Sequence, residues 1–452
     1  MINVRMMQRG AATLKLARAT RVGVRAYAKQ ATHPDPAEDS VSAQTIKKYD
    51  PFYVPTYSRP GLVLQRAKGS HVWDLEDRKY IDFTAGIAVN ALGHANEEVA
   101  KIIYDQATTV MHVSNLYFNE WTGQLNKLLV EKTVESGGMK DAAKLFLCNS
   151  GSEANEAAIK FARKYAKYNA PNDEVRARKH EIVSFANSFH GRTMGSLSAT
   201  PNPKYQAPFS PMVPGFKYAT YNDMASVDAV VSENTCAVII EPIQGEGGVF
   251  PATEEFMLAL RKKCDEVGAL LIFDEIQCGL GRTGTFWAHS SLPPAAHPDI
   301  VTSAKALGNG FPVGATLVTD RVADAIKIGD HGTTYGGNPL ASRVALYTVG
   351  ELSSKSLLDG VNRKSELFRA GLADLQAKYP DYISEVRGRG LILGVQCTRD
   401  PSDLIKAARE RGLLVITAGV NTVRIVPPLN IPDEVIADGL AALDDALAAI
   451  GA

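Results

Sequence analysis

Two residues with the right types for carbonyl chemistry stand thirty-one positions apart, Asp274 and Lys305. Each closes a short apolar run, Ala269 to Phe273 before the acid and Asp299 to Ser303 just ahead of the lysine. Runs this short suit strands buried on both faces rather than helices. In open α/β sheets ligands gather beyond the carboxyl ends of the strands, so both side chains would enter one site. A lysine there can condense with an aldehyde while an acid keeps a ring nitrogen protonated, the demands of pyridoxal 5′-phosphate. Taken alone, either residue has a plainer reading: a solvated surface lysine, or an Asp that caps a helix or forms a turn.

Other stretches supply further candidates. Leu145 to Cys148 reads as a strand, and Ser150, Gly151 and Ser152 lead into a helix with Ala154, Ala158, Phe161 and Tyr165 at helical spacing. The free N–H groups of such a helix start form a natural phosphate seat, although Glu153 and Glu156 equally suit a simple capped helix. After a strand over Glu181 to Phe185, Phe189 could lie flat on a pyridine ring and Arg192 could fork a carboxylate. Ala237 to Ile240 ends in EPIQGEGG, which brings Glu241 and Glu246 to the same sheet edge. Buried carboxylates there need partners or solvent.

The elements around these residues alternate between strand and helix, and the expected fold is α/β. The stretch HVWDLEDRKYID reads as a hairpin about Asp77-Arg78, and helical spacing starts near Glu97 and again at Trp121 to Val130. Lys167 to His180 reads as an exposed connection. Beyond Gly350 comes a helical face starting at Leu367, Phe368 and Leu372, then strands at Leu391 to Val395 and Leu413 to Ile416. The last segment sets Ile436, Leu440, Leu443, Leu447 and Ile450 on one packing stripe with an acidic opposite face, unlike a membrane anchor. Gly279 to Gly284 spells GxGxxG, but Asp274 to Cys278 separate it from the strand and no helix pattern follows. A nicotinamide-binding fingerprint is therefore rejected, and no HExxH, GxSxG or P-loop pattern occurs.

Before the first acid, Asp35, the chain carries Arg and Lys among Met, Leu, Val and Ala, as in a mitochondrial transit peptide. A cut after Tyr27 removes six basic residues and leaves 43 against 49 acidic ones, so the mature chain has no global basic footprint for nucleic acid. Five scattered cysteines without CxxC spacing suggest reduced thiols and no zinc or other metal site.

Eight motifs in order, GIAVNALGH, NSGSEANE, FHGRT, EPIQGEGG, LLIFDEIQCGLGRTG, TSAKALGNGFP, HGTTYGGNP and NTVRIVPPLN, resemble the class III aminotransferases of the fold-type I pyridoxal-phosphate enzymes. The resemblance spans residues 46 to 448. GIAVNALGH and HVSNLYFN look more like the acetylornithine branch than the ornithine or 4-aminobutyrate branches. The resemblance implies a large domain over 106–347 with a mostly parallel sheet, and a smaller α+β domain built from 46–105 and 348–452. It also implies that Lys305 holds the cofactor covalently and moves a proton, Asp274 pairs with the pyridine nitrogen, Gln277 binds the phenolic oxygen and Phe189 stacks. Ser150, Gly151 and Ser152 would seat the phosphate, joined by Thr334 from a neighbouring subunit, which implies a homodimer with shared sites. Arg192 and Arg424 would take the two carboxylates of glutamate, with Glu246 neutralising Arg424 when the other substrate is bound. The expected reaction moves the δ-amine of N-acetylornithine to 2-oxoglutarate in a mitochondrial matrix. Ornithine and 4-aminobutyrate transaminases are the alternatives within the family, and a cofactor-free scaffold is the alternative outside it.

Overall fold

The computed structural model describes residues 31–452, so the transit-like segment read over 1–27 lies outside the described residues. Seven strands form the central sheet, in the spatial order Ala142–Cys148, Gly314–Thr319, Ile300–Ser303, Leu270–Asp274, Thr235–Ile240, Glu181–Phe185 and Phe216–Ala219. Six run the same way, and Gly314–Thr319 is antiparallel to both of its neighbours.

The apolar runs are buried throughout because both faces are covered, and alternation along each strand divides them between two cores. Ile182, Ile239, Leu270 and Ile272 pack with Ala158, Phe161 and Ala162 of the helix Gly151–Tyr168. Val183, Val238, Leu271 and Phe273 turn the other way, onto Phe256, Met257, Leu260 and Cys264 of the helix Glu254–Val267. Thr253 caps the start of that helix, and left-handed Gly268 ends it one residue before Ala269 leads into the next strand. That sharp exit helps set where the strand ends, and so where Asp274 lies.

The hairpin His71–Asp74 with Lys79–Asp82 forms about Asp77-Arg78 as the alternation predicts. A second sheet is all antiparallel: Ile383–Arg389, Ile392–Cys397, Thr422–Ile425 and Ile416–Ala418. The single strand expected over Leu413 to Ile416 divides at Val415. Leu413–Leu414 pairs in parallel with Ile81 and Asp82, whereas Ile416 pairs with Arg424. Two sheets claim the chain on either side of one buried residue, a competition that local pattern does not encode.

Two further expectations shift. The connection 167–180 contains a helix, Asp173–Arg178, because Asn172 caps it by accepting from the Val175 N–H at 2.9 Å. Leu367 is 39% exposed while Phe368 and Leu372 are fully buried, so the inner face of the helix Lys355–Lys378 runs through Val361, Phe368, Leu372 and Leu375. In the last helix, Asp433–Ala449, Ile436, Leu443 and Leu447 are buried, Leu440 is half-buried and Ile450 lies past the end. No described helix is long and apolar enough to cross a membrane.

Candidate active site

A cavity of about 300 Å³ opens at the carboxyl edge of the central sheet, and Ser150, Gly151, Ser152, Phe189, Asp274, Gln277 and Lys305 all line it. The strand Leu270–Asp274 delivers the acid and Ile300–Ser303 delivers the lysine through a tight turn at Lys305, where φ is +44°. A left-handed non-glycine residue is strained, and such strain gathers at functional sites. Burial and the field of Arg424 bring the Lys305 ammonium down to about 8, against the opposing pull of Asp274, Glu241 and Glu246. A lysine so adjusted offers a free amine near neutral pH, which attack on a carbonyl requires.

Asp274 is fixed on three sides. Its Oδ2 accepts from Asn155 Nδ2 at 2.8 Å and lies 2.8 Å from His190 Nδ1, while Oδ1 accepts from the Ile276 N–H at 3.0 Å. Asn155 is itself held by the Thr302 hydroxyl and by donation to the His190 carbonyl. Neither Asn155 nor His190 was among the sequence candidates, although both sit inside quoted motifs. Asn155 follows Gly151 by one helical turn, and that spacing was the available signal.

The Ser150 hydroxyl accepts from the Glu153 N–H and so acts as the N-cap of the helix Gly151–Tyr168. Capping leaves the Gly151 and Ser152 positions facing the cavity, where a helix start suits an anion. Glu153 receives the Asn149 N–H at 2.7 Å, and Glu156 anchors the next loop through the N–H groups of Gly195 and Ser196, so neither serves only the helix dipole. A Cβ on Gly191 would collide with the Ser152 hydroxyl, so only glycine lets the two segments close over the helix start.

Glu241 is buried and holds two backbone donors, the N–H groups of Phe189 at 2.9 Å and Gly245 at 3.0 Å. Burial, reinforced by Asp274, raises it to about 7 against the pull of His190. Arg424, 1% exposed, donates to Gln277 Oε1 and to Glu246 Oε2, both at 2.9 Å. It reaches the cavity wall through Gln277. Arg192 is exposed and sits over Tyr205, its Cζ 3.6 Å from the ring centroid. Thr334 is exposed and outside the cavity.

A helix start for a phosphate, an aromatic side chain for a ring face, and a lysine across from an anchored acid suit a flat phosphorylated pyridine aldehyde. The sheet order and its helical layers are those of the fold-type I pyridoxal-phosphate enzymes. The model of the class-III aminotransferases matches residues 53–447, and the chain belongs to that family.

Acetylornithine aminotransferase, mitochondrial, of Neurospora crassa is 63% identical over 425 residues, 94% of this chain and 91% of the relative. Succinylornithine transaminase of Yersinia enterocolitica is 45% identical over 88% of this chain and 95% of its own length. Among solved structures, N-acetylornithine aminotransferase from Stenotrophomonas maltophilia is 38% identical with a TM-score of 0.75, covering 90% of this chain and 99% of that one. Ornithine aminotransferase from Toxoplasma gondii is 31% identical with a TM-score of 0.83, covering 91% and 96%. The chain is thus a pyridoxal-phosphate-dependent transaminase.

Proposed function

We propose that the protein transfers the δ-amino group of N-acetyl-L-ornithine to 2-oxoglutarate, giving N-acetyl-L-glutamate 5-semialdehyde and L-glutamate in two alternating half-reactions. Bound pyridoxal phosphate supplies the electron sink and carries the amino group between them. The chain's own residues do the rest. Asp274 holds a proton at the pyridine nitrogen, Gln277 donates to the phenolic oxygen, Phe189 covers one ring face and Ser150 to Ser152 seat the phosphate. Once free of the cofactor, Lys305 Nζ would take the proton from the carbon that bears the reacting amine and deliver it to the cofactor's former aldehyde carbon, and would move it the opposite way in the second half-reaction.

The observation that carries the two-substrate part of this reading, an ω-amine donor alternating with glutamate, is the contact between Arg424 and Glu246 beside the cavity. Glutamate brings two carboxylates, one for Arg192 and one for Arg424. N-acetylornithine, reacting at its δ-amine, has none near Arg424, and a buried cation without a partner is costly. Glu246 supplies that partner and withdraws when glutamate or 2-oxoglutarate enters. Relatives named for acetylornithine and succinylornithine support an ornithine derivative whose α-amine is acylated.

A second copy completes the site in this reading. Exposed Leu116, Tyr117, Phe118 and Tyr335 lie in two loops joined by the Asn115 side chain, which donates to Thr333 and Gly336 carbonyls at 3.1 and 3.0 Å. An apolar patch of this kind fits a homodimer interface, from which Thr334 reaches the neighbour's phosphate. The transit-like residues 1–27 and the mitochondrial relatives support a matrix location.

Steady-state rates measured with N-acetylornithine against several 2-oxoglutarate concentrations test the assignment. Parallel double-reciprocal lines, with kcat/KM at least tenfold above that for ornithine or 4-aminobutyrate, are expected. Higher kcat/KM for either competitor assigns the chain to a sister branch.

A further inference from the structure

The arginine that receives the distal carboxylate has no carboxylate partner of its own among the described residues. What holds it is an aromatic ring. Arg192 Cζ stands 3.6 Å from the centroid of Tyr205 and 5.7 Å from that of Phe189. The two rings meet edge to face, with centroids 6.4 Å apart and planes at 87°. Tyr205 therefore touches both the ring that covers the cofactor and the cation that selects the substrate.

The element carrying Tyr205 is itself fastened. Pro203–Gln206 is a single helical turn started by Asn202, whose side chain accepts from the Lys204 N–H at 3.0 Å. Gln206 Nε2 donates to the carbonyls of Leu197 and Thr200, both at 3.0 Å, which tie the turn to the segment following Arg192. Pro203 restricts the backbone at the first helical position. Tyr205 is half-buried, with the Arg192 guanidinium over its ring and Phe189 meeting it edge to face.

We propose that Tyr205 is a positioning residue for substrate recognition: its ring is a shelf that holds the Arg192 guanidinium flat and turns its donor edge toward the carboxylate. An exposed arginine otherwise samples many rotamers, and each binding event would have to order it. A guanidinium stacked on an aromatic face is preorganised at low entropic cost and keeps its planar fork free for a bidentate contact. The effect is one of ring area, not of the hydroxyl. It rests on the assignment of Arg192 to the distal carboxylate, and it reaches both half-reactions because both substrates present that group.

The test uses the full holoenzyme with Tyr205→Leu, Tyr205→Phe and Arg192→Lys, measuring kcat and KM for both substrates and the thermal midpoint. Tyr205→Leu is expected to raise KM for N-acetylornithine and 2-oxoglutarate about two- to fivefold, the range for a cation–π contact at an exposed site, with kcat within twofold. Tyr205→Phe should restore both KM values to within twofold of the parent at an unchanged midpoint. Adding Tyr205→Leu to Arg192→Lys should raise KM much less than adding it to the parent. Equal KM increases in the Leu and Phe variants would move the role to the hydroxyl and overturn the shelf. A loss confined to kcat, or Tyr205→Leu without effect beside a raised KM in Arg192→Lys, would also overturn it. Unchanged KM in Arg192→Lys as well would instead overturn the carboxylate assignment beneath it.

Discussion

At the residue scale, the central chemical fact is a lysine whose amine is easy to deprotonate. Lys305 at about 8, against an ordinary lysine value of 10.5, carries a folding penalty that is full below pH 8 and disappears as pH rises toward 10.5, because the unfolded chain binds the extra proton in that window. At 1.36 kcal/mol per unit the penalty reaches about 3 kcal/mol, so the cofactor-free Lys305→Met variant should be more stable than the parent at pH 7 by up to that amount. Urea midpoints at pH 7 and pH 10.5 check this: the gap should close at the higher pH, and a gap that widens contradicts it. The same variant should lose turnover and the visible absorbance of lysine-bound cofactor. Glu246→Ala should slow the N-acetylornithine half-reaction at least tenfold more than the glutamate half-reaction in single-turnover kinetics, because only the former leaves Arg424 without a carboxylate. Equal losses count against the gate. The residue types Asp274 and Lys305 were legible as strand-end groups, but Asn155, His190 and Tyr205 were not. Their roles depend on approaches between segments separated by up to 119 positions; helical spacing from Gly151 places Asn155 on the cavity side of its helix but does not name Asp274 as its partner.

At the element scale, strands and helices that cover one another announced themselves, because burial on both faces forces long apolar runs. The carboxyl-edge loops were harder. Gly279 to Gly284 does not open a helix, and its glycines serve turns: Leu280 and Gly281 take positive φ, and a Cβ on Gly284 would collide with Asn362. What stiffens this loop is a buried pair unnoticed in the sequence. Glu275 accepts from the N–H groups of Ala288 and His289, each at 3.0 Å, and lies 2.6 Å from His289 Nδ1. Both side chains are fully buried, and His289 is anchored on its far side to the Gly138 carbonyl at 2.7 Å. Removing one member leaves the other without its partner, so Glu275→Ala should destabilise by about 3–5 kcal/mol, read from denaturant midpoints. Because Glu275 adjoins Asp274, cofactor affinity should fall with it. A change below 1 kcal/mol would show that the loop is held otherwise. The strand at Leu413 to Ile416 teaches the complementary lesson. Its residue pattern was right, but its allegiance to two sheets is decided by neighbours drawn from opposite ends of the chain.

At the scale of the whole molecule, the first and last thirds of the described chain meet in one sheet, where Leu413–Leu414 extends the hairpin strand Lys79–Asp82. The same C-terminal region carries Arg424 to the edge of the cavity, where it meets Gln277 from 147 positions away, so the candidate site is assembled from distant parts of the sequence. The exposed loop residues Leu116, Tyr117 and Phe118 fit a second copy of the chain, and Phe118→Asp is expected to yield a monomer by light scattering with weakened cofactor retention. A fully active monomer would remove the shared-site proposal. The most direct measurement of the central claim uses the cofactor-loaded protein from Ala28 onward, with no keto acid present. N-acetylornithine, ornithine and 4-aminobutyrate are added separately while the visible band is followed. N-acetylornithine should bleach that band fastest; faster bleaching by ornithine or 4-aminobutyrate, or the lack of any visible band, would contradict the assignment.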